Sequence, residues 1–231
     1  NIVKDKEIAK KLTDFGHPFT SKRPTLNTNY FETFNRKNVR LIDLKTNPII
    51  KITKNGIRTS KEELKFDKII FATGYDALSG PILSLNLIGR KKIKLKKYWK
   101  NGPKTFLGLM IPNFPNFFII SGPGSPSVLT NVPAQIQQHV EWISNFIKYL
   151  EKVKSISVEP SFKETENWVK KINKLAKQSL FMKAKNSWYK GDNIPGKPKK
   201  FIPYPAGLPQ YKKICNKVQK RMYKGFKISL K

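Results

Sequence analysis

A chain of 231 residues with 46 Lys and Arg against 15 Asp and Glu carries a formal charge of +31, and its length suits one large domain or two small ones. Cys215 is the single cysteine, which excludes an internal disulfide; with only His17 and His139 as histidines, no cluster has the spacing of a zinc or iron site. A dense basic field attracts phosphates whatever their sequence, but only six of the basic residues are Arg, and the lysines run from Lys4 to Lys231 instead of forming one block.

That spread, alongside abundant Asn and Ile, is the pattern of a solvated lysine surface, so no specific nucleic-acid partner is expected. A non-catalytic basic fragment that holds nucleic acid stays as the rival reading of another class. The opening "NIVKDKEIAKKL" is charged and no apolar run follows it, so a signal peptide is not expected there. The start at Asn1 reads as that of a fragment or a processed piece. Residues 20–41, "TSKRPTLNTNYFETFNRKNVRL", follow neither a helical nor an alternating pattern, and place one of the six arginines between Lys22 and Pro24. They read as a fixed loop that carries function.

Residues 39–65 are predicted to form a small β-meander: "VRLID" is a short apolar run, and "IIKIT" meets "GIRTS" across Lys54, Asn55 and Gly56, an Asn-Gly hairpin signal. In "FDKIIFATGYD", residues 68–72 are predicted as a strand buried on both faces that ends in the small residues 72–74. "NFPNFFIISGPGSPS" repeats the design, with residues 117–121 as a second buried strand. The stretch "FLGLMIPNFPNFFIISGPG" is long enough for a membrane span, but its three prolines and two asparagines favour buried strands joined by a turn; a soluble, cytoplasmic protein without a membrane span is expected.

Pro133 is predicted to open a helix running to about Lys152, with Ile136, Val140, Ile143, Ile147 and Leu150 on one face. A second helix is predicted over 164–181, with Trp168, Ile172, Leu175 and Ser179 along one side and Ser161 with Glu164 as its capping box. From "NSWYKGDNIPGKPKK" onward the chain reads as loop-rich, with many Pro and Gly. Two strands ending in small-residue turns, one followed by a helix, are the outline of a nucleotide-binding α/β sheet, in which Gly74 and Gly122 either admit a cofactor or are ordinary turn glycines. G-x-G-x-x-G is absent from the sequence. A Ser-His-Asp hydrolase around His139 is formally open, but no G-x-S-x-G turn accompanies it.

The ordered set "HPFTSKRP", "YFETFNRKNVRLID", "GIRTSKEELKFDKIIFATGYDALSG", "GPKTFLGL", "FPNFFIISGPGSPSVLTN", "QHVEWIS" and "SWYKGDNIPGKP" resembles the C-terminal part of Baeyer–Villiger monooxygenases over nearly the whole chain. The resemblance implies an α/β chain that is part of a two-dinucleotide-binding-domain, Rossmann-like FAD/NAD(P)-binding fold with the N-terminal halves missing. Residues 1–76 would be the C-terminal part of the NADPH-binding domain, with the β-meander. Residues 77–231 would be the C-terminal part of the FAD-binding domain, with two helices and a loop-rich tail. Both N-terminal Gly-rich fingerprints, the family's F-x-G-x-x-x-H-x-x-x-W sequence and an active-site Asp from the N-terminal region are not in this sequence, so the piece alone is expected to be inactive.

The implied cofactors are FAD and NADPH, and the implied substrates a small ketone and O2, one oxygen atom entering beside the carbonyl to give an ester or lactone. Arg23 stands at the family's catalytic arginine: a guanidinium keeps its charge and can steady a peroxide anion and then a tetrahedral oxyanion. By the same resemblance Lys22 meets the 2′-phosphate of NADPH, Arg23 and Trp188 also contact NADP, Val132 contacts FAD, and Ser127 and Val128 line the substrate pocket. No metal is implied. An N- or S-oxygenating flavin monooxygenase is the alternative within the enzyme class. That chemistry needs no arginine here, which favours the ketone reading.

Overall fold

The computed structural model describes residues 2–14 and 16–231. The chain divides into two units, one made of residues 1–19 and 24–75, the other of residues 20–23 and 76–231. It is a mixed α/β chain, and the two sheets among the described residues are both antiparallel.

In the first unit, helix α1 (Lys6–Thr13) starts where Asp5 accepts from the amides of Glu7 and Ile8, and it carries Lys10 and Lys11 in its last turn, the polarity that suits a helix dipole. Strands β1 (Ile49–Thr53), β2 (Gly56–Thr59) and β3 (Glu63–Lys65) form a three-stranded antiparallel meander. Arg58 faces Glu63 across β2–β3 and donates to its carboxylate at 2.6 Å. The β1–β2 turn is Lys54–Asn55, with Thr53 paired to Gly56. The turn thus lies one residue earlier than the Asn-Gly reading puts it, and Gly56 opens β2, where only glycine fits because a Cβ would fall 2.0 Å from the Leu64 carbonyl oxygen.

Two expected strands are absent here. Residues 39–43 form no strand, so the meander is confined to 49–65. Residues 68–72 form no strand either, and Ile70 and Phe71 are 90% and 68% exposed. A strand exists only through its neighbours' hydrogen bonds, and none of the described residues pairs with this run. Its apolar residues are those of a doubly covered strand, without the cover.

The second unit opens with two short helices, α2 (Gly80–Ser84) and α3 (Leu95–Tyr98). Leu95 and Trp99 join Ile111, Phe114 and Ile119 in a small core. Residues 117–121 make only an isolated bridge, Met110 with Phe118, in place of the expected strand. Helix α4 (Val132–Lys152) begins at Asn131, whose side chain caps the Ala134 amide, with Pro133 in the first turn, where a missing N–H costs nothing. Strand β4 (Ser155–Pro160) leads to α5 (Phe162–Lys177), N-capped by Ser161 through the Glu164 amide. The helix ends at Lys177, four residues short of the expected end, and Ser179 lies outside it. The tail expected to be loop-rich also holds an unforeseen helix, α6 (Gly207–Lys220), and strand β5 (Phe226–Leu230), which pairs antiparallel with β4.

The main core is aromatic. Phe146 stacks on Tyr223 with centroids 4.0 Å apart, and Trp168 stacks on Tyr204 at 5.1 Å. Each buried indole N–H has a partner: Trp142 donates to Cys215 O at 3.0 Å and Trp168 to Gly124 O at 3.0 Å, which is what allows such residues to be buried whole. On α4 the buried row is Gln135, Gln138, His139, Trp142, Ile143 and Phe146. Of the expected aliphatic face, Ile136, Val140 and Ile147 are exposed. The aromatics bury more area, and Gln135 and His139 among them find hydrogen bonds, so the polar-looking face wins the core.

Candidate functional site

Residues 20–23 belong to the second unit, and three hydrogen bonds tie them to distant parts of it. The Arg23 amide donates to the Tyr189 hydroxyl at 3.2 Å, its Nη1 donates to Val128 O at 2.8 Å, and Lys22 Nζ donates to Asn186 O at 3.3 Å. Partners 105 to 166 positions apart in sequence therefore meet at one place. Pro24 restrains the backbone of Arg23 away from the helical region, which keeps the residue in an irregular segment. Ser21 is fully buried, Lys22 half-buried and Arg23 exposed.

Tyr189 is 1% exposed. Burial raises the pKa of its hydroxyl, and the neighbouring Arg23 amide and charge oppose that. Trp188 is half-buried and packs against Tyr189, centroids 4.8 Å apart. The loop that carries both is pinned by Asp192, which accepts from the Ser187 amide at 2.5 Å and pairs with Lys190 at 3.0 Å. Further along, Lys197 pairs with Asp76 and donates to Ala77 O, so the end of "FATGYD" is tied to "IPGKP".

Val128 lies in the turn between Ser121 and α4. Ser127 is buried, Val128 is half-buried against the core, and Val132 is the half-buried first residue of α4. The turn is rigid. Gly124 donates to Ile202 O and its carbonyl receives the Trp168 indole; at φ +91, a Cβ on it would sit 2.9 Å from Thr105 Oγ1. Gly122 lacks a Cβ because the Gly108 carbonyl stands 2.4 Å from where it would be, a protein contact. Gly74, at φ +86, has nothing within 4 Å of its Cβ position.

His139 is fully buried beneath the turn. Its Nδ1 accepts from the Ser121 amide at 3.0 Å, so Nε2 carries the proton and donates to Tyr211 Oη at 2.9 Å, while Tyr211 donates to Leu107 O at 2.6 Å. Burial pushes the His139 pKa down to about 4. A neutral imidazole with both nitrogens engaged, neither by a nucleophile, is no hydrolase base.

Lys22, Arg23, Ser127, Val128 and Trp188 thus share one locality, joined through Tyr189 and Asn186; Val132 stands at its edge, where α4 begins. Sequence reasoning missed Tyr189, although an aromatic beside Trp188 in a polar loop is the kind of residue that anchors such a loop. The locality suits an anionic ligand. Arg23 spends one of its five N–H groups on Val128, and the buried Ser187 Oγ, a hydroxyl next to Trp188 in sequence, has no protein partner.

No family model matches the chain. It is 39% identical over 230 residues to a cyclohexanone 1,2-monooxygenase of Acinetobacter sp, covering 99% of this chain and 41% of that protein. Over 223 residues it is 42% identical to a Baeyer–Villiger monooxygenase of Pseudooceanicola batsensis, covering 96% of this chain and 40% of the relative. A crystal structure of OTEMO in complex with FAD and NADP matches with TM-score 0.93 and 33% identity, over 99% of this chain and 42% of the other. The chain spans about two fifths of the length of each of these proteins.

Proposed function

We propose that this chain is the C-terminal two fifths of a flavin-dependent monooxygenase of the Baeyer–Villiger type, which uses FAD and NADPH to insert one oxygen atom of O2 beside a ketone carbonyl. In this reading residues 1–76 complete an NADPH-binding domain and residues 77–231 an FAD-binding domain, both Rossmann-like. The exposed Ile70 and Phe71, and the exposed aliphatic row Ile136, Val140 and Ile147, are then the surfaces that the rest of those domains cover. The observation that carries the reading is the Arg23–Val128 hydrogen bond, which unites a charge and a pocket wall that the resemblance assigns to the same site.

FAD, when bound, supplies the oxygen activation at the expense of NADPH. The chain's own residues bind and polarise. Lys22 offers an ammonium to the 2′-phosphate of NADPH, and Trp188 offers an aromatic face and one N–H donor beside it. Val132 borders FAD, and Ser127 and Val128 wall the ketone. Arg23, held at one nitrogen by Val128 O, keeps its remaining donors for the negative charge that grows on the ketone oxygen as the carbonyl is attacked. A fixed donor aimed at developing charge lowers the barrier without reorganising.

In the full-length protein, Arg23→Ala is expected to keep FAD bound, to lose about a hundredfold to a thousandfold in ester formation, and to divert NADPH oxidation to hydrogen peroxide. Ketone conversion and peroxide release measured side by side check this. Near-parent turnover by Arg23→Ala would remove Arg23 from catalysis. A parent enzyme that oxygenates amines or thioethers but no ketone would establish the N- or S-oxygenating alternative.

A further inference from the structure

The turn that bears Val128 contains two non-glycine residues in the left-handed region, Ser121 at φ 56 and Ser127 at φ 51. Such backbone costs about 1–3 kcal/mol per residue and persists only where its surroundings hold it. The early turns of α4 hold the Ser121 end of it. His139 Nδ1 takes the Ser121 amide, and Gln135 Nε2 donates to Ser121 Oγ at 3.2 Å and to Ser125 Oγ at 3.0 Å. Ser125 in turn donates through Oγ to Gly122 O at 2.7 Å and accepts at its carbonyl from the Tyr204 amide at 2.7 Å. Gln135 and His139 are both fully buried, and His139 Nε2 donates to Tyr211 Oη from behind. Three residues beyond Ser125, the same turn presents the carbonyl that holds Arg23.

We propose that Gln135 and His139 are positioning residues for the monooxygenase reaction: by clamping Ser121 and Ser125 they set the place of the Val128 carbonyl, and through it the Arg23 guanidinium. The role rests on Arg23 as the catalytic charge. Neither residue hydrogen-bonds to Arg23 itself; both act through the backbone of the turn. A displacement of about 1 Å at a charge that must meet a transition state costs up to about a hundredfold in rate, so loosening the clamp shows in turnover before it shows in cofactor content.

The test uses the full-length, FAD-loaded protein, with ester formed and peroxide released per NADPH as readouts beside melting temperature and flavin content. Gln135→Met removes both donor bonds and keeps an unbranched apolar shape; His139→Leu removes the acceptor for Ser121. Both are expected to lower ester formation about tenfold to a hundredfold, to raise the peroxide share, and to keep flavin. His139→Asn, whose side-chain oxygen can accept from the same amide, is expected to recover most of the coupling. Combined with Arg23→Ala, Gln135→Met is expected to add almost nothing, since both act on one charge.

Unchanged coupling in Gln135→Met, or a double variant whose losses multiply, overturns the positioning role while leaving the role of Arg23 intact. His139→Asn as uncoupled as His139→Leu overturns it as well. If His139→Leu does not fold, Gln135→Met, which spares the His139–Ser121 bond, decides alone. A parent enzyme indifferent to Arg23→Ala refutes the site itself, and the positioning role with it.

Discussion

Acidification is expected to destabilise the second unit through His139. In the fold its imidazole is neutral, with Nδ1 accepting from the Ser121 amide and Nε2 donating to Tyr211, and its pKa is down to about 4 from the usual 6.5 because of burial. Protonation at Nδ1 would set N–H against N–H and leave a charge buried. The unfolded chain takes up the proton through 6.5, the folded chain only near 4, so the unfolded state holds more protons across that window. The His139 contribution is therefore complete above about pH 6.5, falls as pH falls, and is exhausted below about pH 4. At about 1.4 kcal/mol per pKa unit the loss comes to roughly 3 kcal/mol, a large share of a typical domain's stability of about 5–15 kcal/mol.

The other titratable groups against this site stay silent in the window, because burial raises the Tyr211 and Cys215 pKa values, the latter to about 12. Urea unfolding at several pH values between about 7 and 4, on the parent chain and on His139→Asn, isolates the effect. Carboxylates such as Asp14, Glu62 and Glu63, whose pKa values are lowered by Lys45, Arg40 and Arg58, act alike in both proteins. They lose their contribution mainly below the ordinary carboxylate range. Equal slopes for the two proteins from about pH 6.5 to 4 would refute the neutral, doubly engaged histidine.

Trp168→Phe strips the donor from the buried Gly124 carbonyl and should lower the urea-unfolding stability by about 1–3 kcal/mol, with helix content unchanged by circular dichroism. Cys215 is fully buried with its thiol pKa raised to about 12, so iodoacetamide at mildly alkaline pH should label it only in denaturant; rapid labelling of the native chain would contradict its burial. The 231-residue chain purified by itself should be colourless, because its sequence holds no Gly-rich phosphate-binding loop to open a helix. Stoichiometric FAD in its absorption spectrum would show that these residues alone suffice.

Local features were legible in the sequence. The meander over 49–65, the start of α4 beside Pro133 and the Ser161 cap of α5 depend on interactions between residues close along the chain, so composition and spacing predict them. The site residues were named through resemblance, and their spacing in sequence gives no hint that Arg23 and Val128 touch. Tyr189 and the Gln135–His139 clamp went unseen because a polar side chain declares its role only when its partner is known.

The sequence by itself determined the start of α4, the cap of α5 and the hairpin of the meander, and which residue types were on hand for chemistry. Tertiary structure decided which face of α4 is core, that His139 is neutral, that residues 68–72 have no strand to pair with, and that Lys22, Arg23, Val128 and Trp188 share one place. The physical reason is range. Capping and turn preferences act along the backbone over a few bonds, whereas burial, strand pairing and the proton affinity of a ring depend on what lies across space, and that is set only once the whole chain has packed.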